Sequence, residues 1–254
     1  SLNLITYSDA PPGSGLGTSS TMVVCLIQIF SEWLGLGLGE YDIANLAYEI
    51  ERIDLQLAGG KQDQYSASFG GFNFIEFGPG KKVIVNPLRV KRNFIKLLEV
   101  STILFFTGVS RSSSEIIKTQ IKNTTGKELN TIEATQSLKE GAILMKEAIL
   151  TGKIEAYEKI LRDSWDFKKK MSTSISNSLI DEYYDLAMDS GASAGKISGA
   201  GGGGFLIIYA KPINKMKVIN ALNAKNASLL EENKKNNSFI KFFEFTSSGV
   251  ESWS

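Results

Sequence analysis

The sequence predicts an α+β protein, because apolar segments of two different periodicities alternate along it. Short apolar runs bounded by Gly, Pro and Asn read as strands, longer runs with apolar residues three or four apart read as helices, and glycine-rich runs interrupt the series at residues 13–17 and 199–204. Residues 2–7 alternate apolar and polar positions and predict a strand that leads into the loop PPGSGLGTSS. The following TMVVCLIQIFSEWL predicts a helix with Val23, Leu26, Ile27, Phe30, Trp33 and Leu34 on its core face and Cys25 beside them. A second helix is expected from Glu40 to Ile53, with Ile43, Leu46, Ala47 and Ile50 inward and Glu51 bordering that stripe.

Segments 72–77 and 82–85, split by Gly78, Pro79 and Gly80, predict a β-hairpin. STILFFT at 101–107 is a strongly apolar strand, and residues 112–170 are mostly helical, with breaks at 123–126 and 151–152. A helix at 178–189 precedes the strand–turn–strand GKISGAGGGGFLIIYA. The chain then predicts a helix at 213–224, a polar surface loop at 223–238 and a strand in FIKFFEF. Two domains, 1–92 and 93–254, are separated where the hairpin gives way to a fresh strand-and-helix series.

Composition narrows the chemistry. The 254 residues carry 28 Lys+Arg against 27 Asp+Glu, a net charge of +1 that calls for no nucleic-acid partner. With no His and one Cys, a Ser-His-Asp triad, a Cys-His dyad, a His-ligated zinc and an internal disulfide are all excluded. No run approaches the roughly 20 apolar residues that span a bilayer, and SLNLITYSDA lacks the sections of a signal peptide. A cytoplasmic protein with no membrane partner is the expectation.

Four constellations carry chemistry. In PPGSGLGTSS, Gly13, Gly15 and Gly17 are interleaved with hydroxyls at Ser14, Thr18, Ser19 and Ser20 just before a helix. Glycines let backbone N–H groups approach an anion and the helix start adds partial positive charge, so the loop reads as a phosphate cradle whose hydroxyls suit Mg²⁺, or as a plain turn with N-capping side chains. No Lys follows the glycines, which excludes a Walker A loop. Glu51 and Asp63, twelve positions apart, read as a metal carboxylate and a general base, or as a salt-bridge set with Arg52 or Lys61. SGAGGGGF, from Ser198 to Phe205, holds more glycines than a turn requires and lets a phosphate or the first glycine loop approach its backbone. Arg111 before Ser112, Ser113 and Ser114 reads equally as an anion holder or a capped helix start, and Lys168, Lys169 and Lys170 as a solvated helix face.

PPGSGLGTSS resembles the second motif of the GHMP small-molecule kinases and KISGAGGGG their third, with ER and then QDQYSASFGG between them in the family's order. SGSGLG, LAYEIERIDL, GGKQDQY, GGFNFIEF, VIVNPLR and the terminal GVESW look like the members that phosphorylate D-glycero-D-manno-heptose 7-phosphate at its anomeric hydroxyl, and the likeness covers essentially the whole chain. It implies the two-lobed GHMP fold, with a ribosomal-S5-domain-2-like N-terminal lobe, here truncated, and a ferredoxin-like C-terminal lobe. It implies ATP and Mg²⁺ as cofactors and a sugar phosphate as acceptor, in nucleotide-activated heptose synthesis for lipopolysaccharide or capsule. The fold also allows a homodimer.

Position by position, the resemblance implies that Pro12, Gly13, Ser14, Gly15, Leu16, Gly17, Thr18, Ser19 and Ser20 wrap the ATP phosphates. Ser19 and Glu51 would hold Mg²⁺, and Asp63 would be the base that also orients the sugar. Gly199, Ala200, Gly201 and Gly202, with Lys61 and Arg111, would contact the substrate. Three departures stand out. The gap between Glu51 and Asp63 is one residue longer than in mevalonate kinases, Thr18 stands where Ser or Gly is more familiar, and the family's first motif has no counterpart in the chain. A longer gene product is therefore expected. Alternative readings are a kinase for fucose, galactose or a phosphorylated mevalonate-type alcohol, and a catalytically silent sugar sensor.

Overall fold

The computed structural model describes residues 2–110, 113–126, 128–231 and 237–253. The chain divides into two compact units. One gathers Ser1–Pro12, Gly17–Arg89 and Phe245–Ser254, and the other Gly13–Leu16 and Val90–Glu244.

The first unit contains α1 (Thr18–Leu34), α2 (Glu40–Tyr48), a π-helical turn (Glu49–Asp54) that continues α2 without a break, and α3 (Gln62–Phe69). The hairpin of β1 (Asn73–Phe77) and β2 (Val83–Pro87) follows, with Ile75 opposite Val85. Val24, Ile27, Ile43 and Ala47 form one small core, and Val250 of the C-terminal segment packs against it. Gln28 Nε2 donates to Ser252 Oγ at 2.8 Å, and the rings of Phe72 and Phe245 lie 4.8 Å apart, so the last residues are tied into this unit.

Two expectations for this unit are corrected. Residues 2–7 are not a strand: a strand needs a partner for its backbone donors and acceptors, none pairs with them among the described residues, and Ile5 and Tyr7 are 85% and 86% exposed. The buried stripe of α1 is Ser20, Val24, Ile27 and Ser31, while Trp33 and Leu34 face outward. The two Ser residues are buried because each is hydrogen-bonded, Ser20 Oγ accepting from Gln64 Nε2 at 3.1 Å and Ser31 Oγ from the Leu38 N–H at 3.3 Å.

The second unit runs α4 (Arg92–Ser101), β3 (Thr102–Phe106), α5 (Ser113–Thr125), α6 (Leu129–Thr151), α7 (Ile154–Met171), α8 (Ser178–Asp189), β4 (Ala194–Ile197), β5 (Phe205–Tyr209), α9 (Pro212–Glu231) and β6 (Phe239–Lys241). The sheet is antiparallel with order β4-β5-β3-β6. The first and third strands of this unit lie at its centre and the second and fourth at its edges, which is the ferredoxin-like arrangement. Central β3 and β5 are almost fully buried, which is why TILFF and FLIIY read as unbroken apolar runs. Phe105, Trp165, Tyr183, Leu206, Ile208 and Leu222 fill the core against α8 and α9. Asn177 caps α8 by accepting from the Ile180 N–H at 3.1 Å.

The predicted surface loop at 223–238 is also corrected, because α9 continues to Glu231. Val218, Leu222 and Leu229 fall on one helical face and are all buried, so the apolar spacing carries the helix through a polar stretch. The final strand is shorter than FIKFFEF, and only Phe239, Ile240 and Lys241 pair with β3.

Phe105 is fully buried at the centre of β3, with its ring 4.6 Å from that of Tyr183. Phe105→Ala is expected to destabilise the protein by about 3–5 kcal/mol, read as a lowered urea midpoint with the slope unchanged.

Candidate active site

Two constellations foreseen in the sequence are built structures, one in each unit. In the second unit, Gly13–Leu16 lies on the loop between β4 and β5. The Phe205 N–H donates to the Ser14 carbonyl at 2.9 Å and Ser198 Oγ to the Gly15 carbonyl at 2.8 Å. Gly15 and Gly199 face each other so closely that a Cβ on either would come within 2.7 Å of the other loop's backbone, and both have positive φ, +78° and +63°. Only glycine satisfies both conditions. The N–H groups of Gly13, Gly15, Leu16, Gly199, Ala200, Gly201 and Gly203 donate to no acceptor among the described residues. This array of free donors is the chemistry of an anion cradle.

In the first unit the constellation centres on Glu51, which is 1% exposed within the π-helical turn. Ser19 Oγ, in the first turn of α1, donates to Glu51 Oε1 at 3.0 Å. Gln64 Nε2, from α3, donates to Glu51 Oε2 at 2.5 Å and to Ser20 Oγ at 3.1 Å. Arg52 Nη1 stands 3.9 Å from Glu51 Oε1, and Arg52 Nε donates to the Gly60 carbonyl at 3.2 Å. Gln64 Oε1 is buried and has no hydrogen-bond partner among the described residues. The oxygens of Ser19 and Glu51 are hard donors of the kind Mg²⁺ takes, and Mg²⁺ typically needs only one or two from protein. The residues therefore fit that ion.

Asp63 sits in the first turn of α3, where the helix dipole favours a carboxylate. A Cβ on Gly17 would lie 3.2 Å from Asp63 Cβ and Cγ, so the glycine loop's last residue passes directly over this side chain. Burial raises the Asp63 pKa above the usual carboxylate value, Arg52 opposes that rise, and Glu51 adds a smaller upward push. A base with a raised pKa is better matched to neutral pH.

Of the other sequence candidates, Lys61 reaches across to the hairpin, donating to the Gly80 carbonyl at 3.3 Å with its amine 4.7 Å above the Tyr48 ring. Arg111 lies outside the described residues. The salt-bridge reading of Glu51 survives only as the long Arg52 contact. Lys168 departs from the solvated face expected of its run and donates to the Gly199 carbonyl. Sequence reasoning missed Gln64, although QDQ on a helix places residues 62 and 64 on different faces from 63 and so marks one of them for the interior.

Residues 1–71 match the family model of the GHMP kinase N-terminal domain and residues 145–228 that of the GHMP kinase C-terminal domain. The chain belongs to the GHMP kinases. A D-glycero-alpha-D-manno-heptose 7-phosphate kinase from Campylobacter jejuni is 47% identical over 253 residues, which are 100% of this chain and 71% of that one. A solved D-glycero-D-manno-heptose 1-phosphate kinase from Bacteroides thetaiotaomicron superposes with a TM-score of 0.74 at 41% identity, over 98% of this chain and 67% of that one. Mevalonate kinase from L. major, at 18% identity and TM-score 0.68 over 91% of this chain and 65% of that one, shares the fold. This GHMP kinase chain thus spans about two thirds of the length of the relatives it matches.

Gln64→Leu leaves Glu51 Oε2 buried without its donor. It is expected to cost about 1–3 kcal/mol, seen as a lower melting temperature, with Gln64→Asn losing less if the shorter amide still reaches.

Proposed function

We propose that this chain belongs to an ATP-dependent sugar kinase that phosphorylates the anomeric hydroxyl of D-glycero-D-manno-heptose 7-phosphate. The observation that carries the chemistry is the pairing of Ser19 Oγ and Glu51 Oε1 at 3.0 Å beside a glycine loop whose last residue lies on the Asp63 carboxyl group. The names of the relatives at 41% and 47% identity support the heptose phosphate acceptor.

In this reading residues 12–20 receive the phosphates of ATP, with the free N–H groups of Gly13, Gly15 and Leu16 available to charge that shifts during in-line transfer. Ser19 and Glu51 would hold Mg²⁺, which when bound would neutralise charge on the phosphate oxygens. Gln64 keeps Glu51 fixed from behind. Asp63 takes the proton of the C1 hydroxyl as that oxygen attacks. A silent sensor would not need a carboxylate beside the glycine loop, so Asp63 favours the enzyme.

ADP release with Mg-ATP is the deciding assay, with heptose 7-phosphate, heptose 1-phosphate, fucose, galactose and mevalonate as acceptors. Turnover is expected with heptose 7-phosphate well above the others, and preference for another acceptor reassigns the substrate. ATP binding with no turnover on any acceptor supports the sensor.

Asp63→Asn is expected to lower kcat by roughly 10²–10⁴ with nucleotide affinity retained, and near-normal turnover removes the base assignment. Since the base acts deprotonated and its pKa is raised, activity falls on acidification at a pH above the ordinary Asp value of about 3.9. Arg52→Gln removes the charge that opposes this rise, so the acid limb of the pH–rate profile is expected to move to higher pH.

A further inference from the structure

One run of lysines on α7 separates into three environments. Lys170 is exposed. Lys169 pairs with Asp166 at 3.3 Å and lies 5.4 Å above the Trp165 ring. Lys168 turns inward and donates to the Gly199 carbonyl, and on β4 Lys196 is also drawn out of water. Burial first, and then the positive charge of Lys196, pull the Lys168 pKa down to about 7.

No carboxylate forms an ion pair with either amine among the described residues. The charged groups on α7 and the facing α6 have other partners: Asp163 pairs with Lys159 at 2.5 Å, Arg162 donates to the Ser193 carbonyl, and Glu140 accepts from Gln136 Nε2 at 2.8 Å. On α8, Tyr184 is held in its neutral form by burial. An ammonium has three N–H donors, and Lys168 uses one. Two like charges that are half-buried, one of them with donors to spare, are stabilised by an anion. The Gly199 carbonyl that Lys168 grips belongs to the loop whose N–H groups at 199, 200, 201 and 203 have no acceptor.

The geometry points to Lys168, backed by Lys196, as the cationic wall of a phosphate-binding site on the second unit, completed by the free N–H groups of Gly199, Ala200, Gly201 and Gly203. The ligand is a phosphate group, supplied either by the nucleotide or by the sugar phosphate. The inference rests on the kinase reading for this choice of ligands, and inorganic pyrophosphate probes the site independently of it.

Isothermal titration calorimetry at pH 7.5, in two buffers of different ionisation enthalpy, tests it with a non-hydrolysable ATP analogue plus Mg²⁺, with heptose 7-phosphate and with pyrophosphate. A phosphate beside Lys168 raises the amine's pKa, so the parent protein is expected to take up a fraction of a proton on binding. Lys168→Met is expected to weaken the ligand that occupies the site roughly 10- to 100-fold and to abolish the proton uptake, while Lys168→Arg stays within a few-fold. Loss confined to the ATP analogue assigns the site to the nucleotide, and loss confined to heptose 7-phosphate assigns it to the acceptor. If no sugar is ever turned over, pyrophosphate binding that depends on Lys168 still upholds the site and only the kinase reading falls. Parent-like affinity of Lys168→Met for all three ligands, with proton uptake unchanged, overturns the proposal. If Lys168→Met does not fold, Lys196→Met carries the same test, and unaltered affinity and uptake in that variant overturn it equally.

Discussion

Glu51 is a carboxylate with 1% of its surface exposed, and a charge in that position is tolerated only when hydrogen bonds replace the water it has lost. Its nearest cation, Arg52, stands 3.9 Å away, too long for a strong ion pair. The compensation therefore comes from Ser19 and Gln64. These side chains arrive from α1 and α3, and Gln64 also reaches Ser20, so the buried charge fixes three helical segments against one another. The small core of Val24, Ile27, Ile43 and Ala47 supplies apolar burial beside this web but could not by itself specify which faces meet.

The second unit has the opposite imbalance. Both carboxylate oxygens of Glu51 are satisfied by the fold, whereas in the glycine loop the N–H groups at 199, 200, 201 and 203 are left unanswered among the described residues. Glycine makes this arrangement possible at Gly15 and Gly199, where any side chain would separate the two backbones. The adjoining ferredoxin-like sheet is apolar, with Phe105, Leu206 and Ile208 buried on one face. The loop is anchored through the N–H groups of Gly202 and Gly204, which donate to the Ile175 and Val109 carbonyls, leaving those of residues 199, 200, 201 and 203 without an acceptor among the described residues.

Much of this was legible because local signals and tertiary demands agree. The hairpin at 73–87, the helix at 178–189 and both glycine loops follow from residue pattern alone, since turn residues, apolar spacing and caps coincide there. Where partners decide, the pattern misled. Residues 2–7 have strand alternation without a neighbouring strand, and Trp33 fits the period of α1 but lies outside its buried stripe. The site residues divide the same way. Glu51 and Asp63 were visible as carboxylates near glycine, yet Gln64 was hidden because its role depends on what α3 packs against. Lys168 was hidden because one desolvated lysine in a run of three looks like its neighbours. The π-helical turn at Glu49–Asp54, which carries Glu51, was not legible either, because its i to i+5 hydrogen bonds leave no distinct residue pattern.

The first unit is not a continuous stretch of chain. Val250 packs into its core and Ser252 accepts from Gln28, yet these residues leave the ribosome after every strand and helix of the second unit. During synthesis the helices that carry Ser19, Glu51 and Asp63 emerge first and must wait, with part of their apolar surface uncovered, until the final segment arrives. The ferredoxin-like unit meets no such delay, since its last strand, Phe239–Lys241, is made before the tail. Order of synthesis thus runs against order of closure: the helices of the first unit are made before the second unit, and the residues that cover them are made after it.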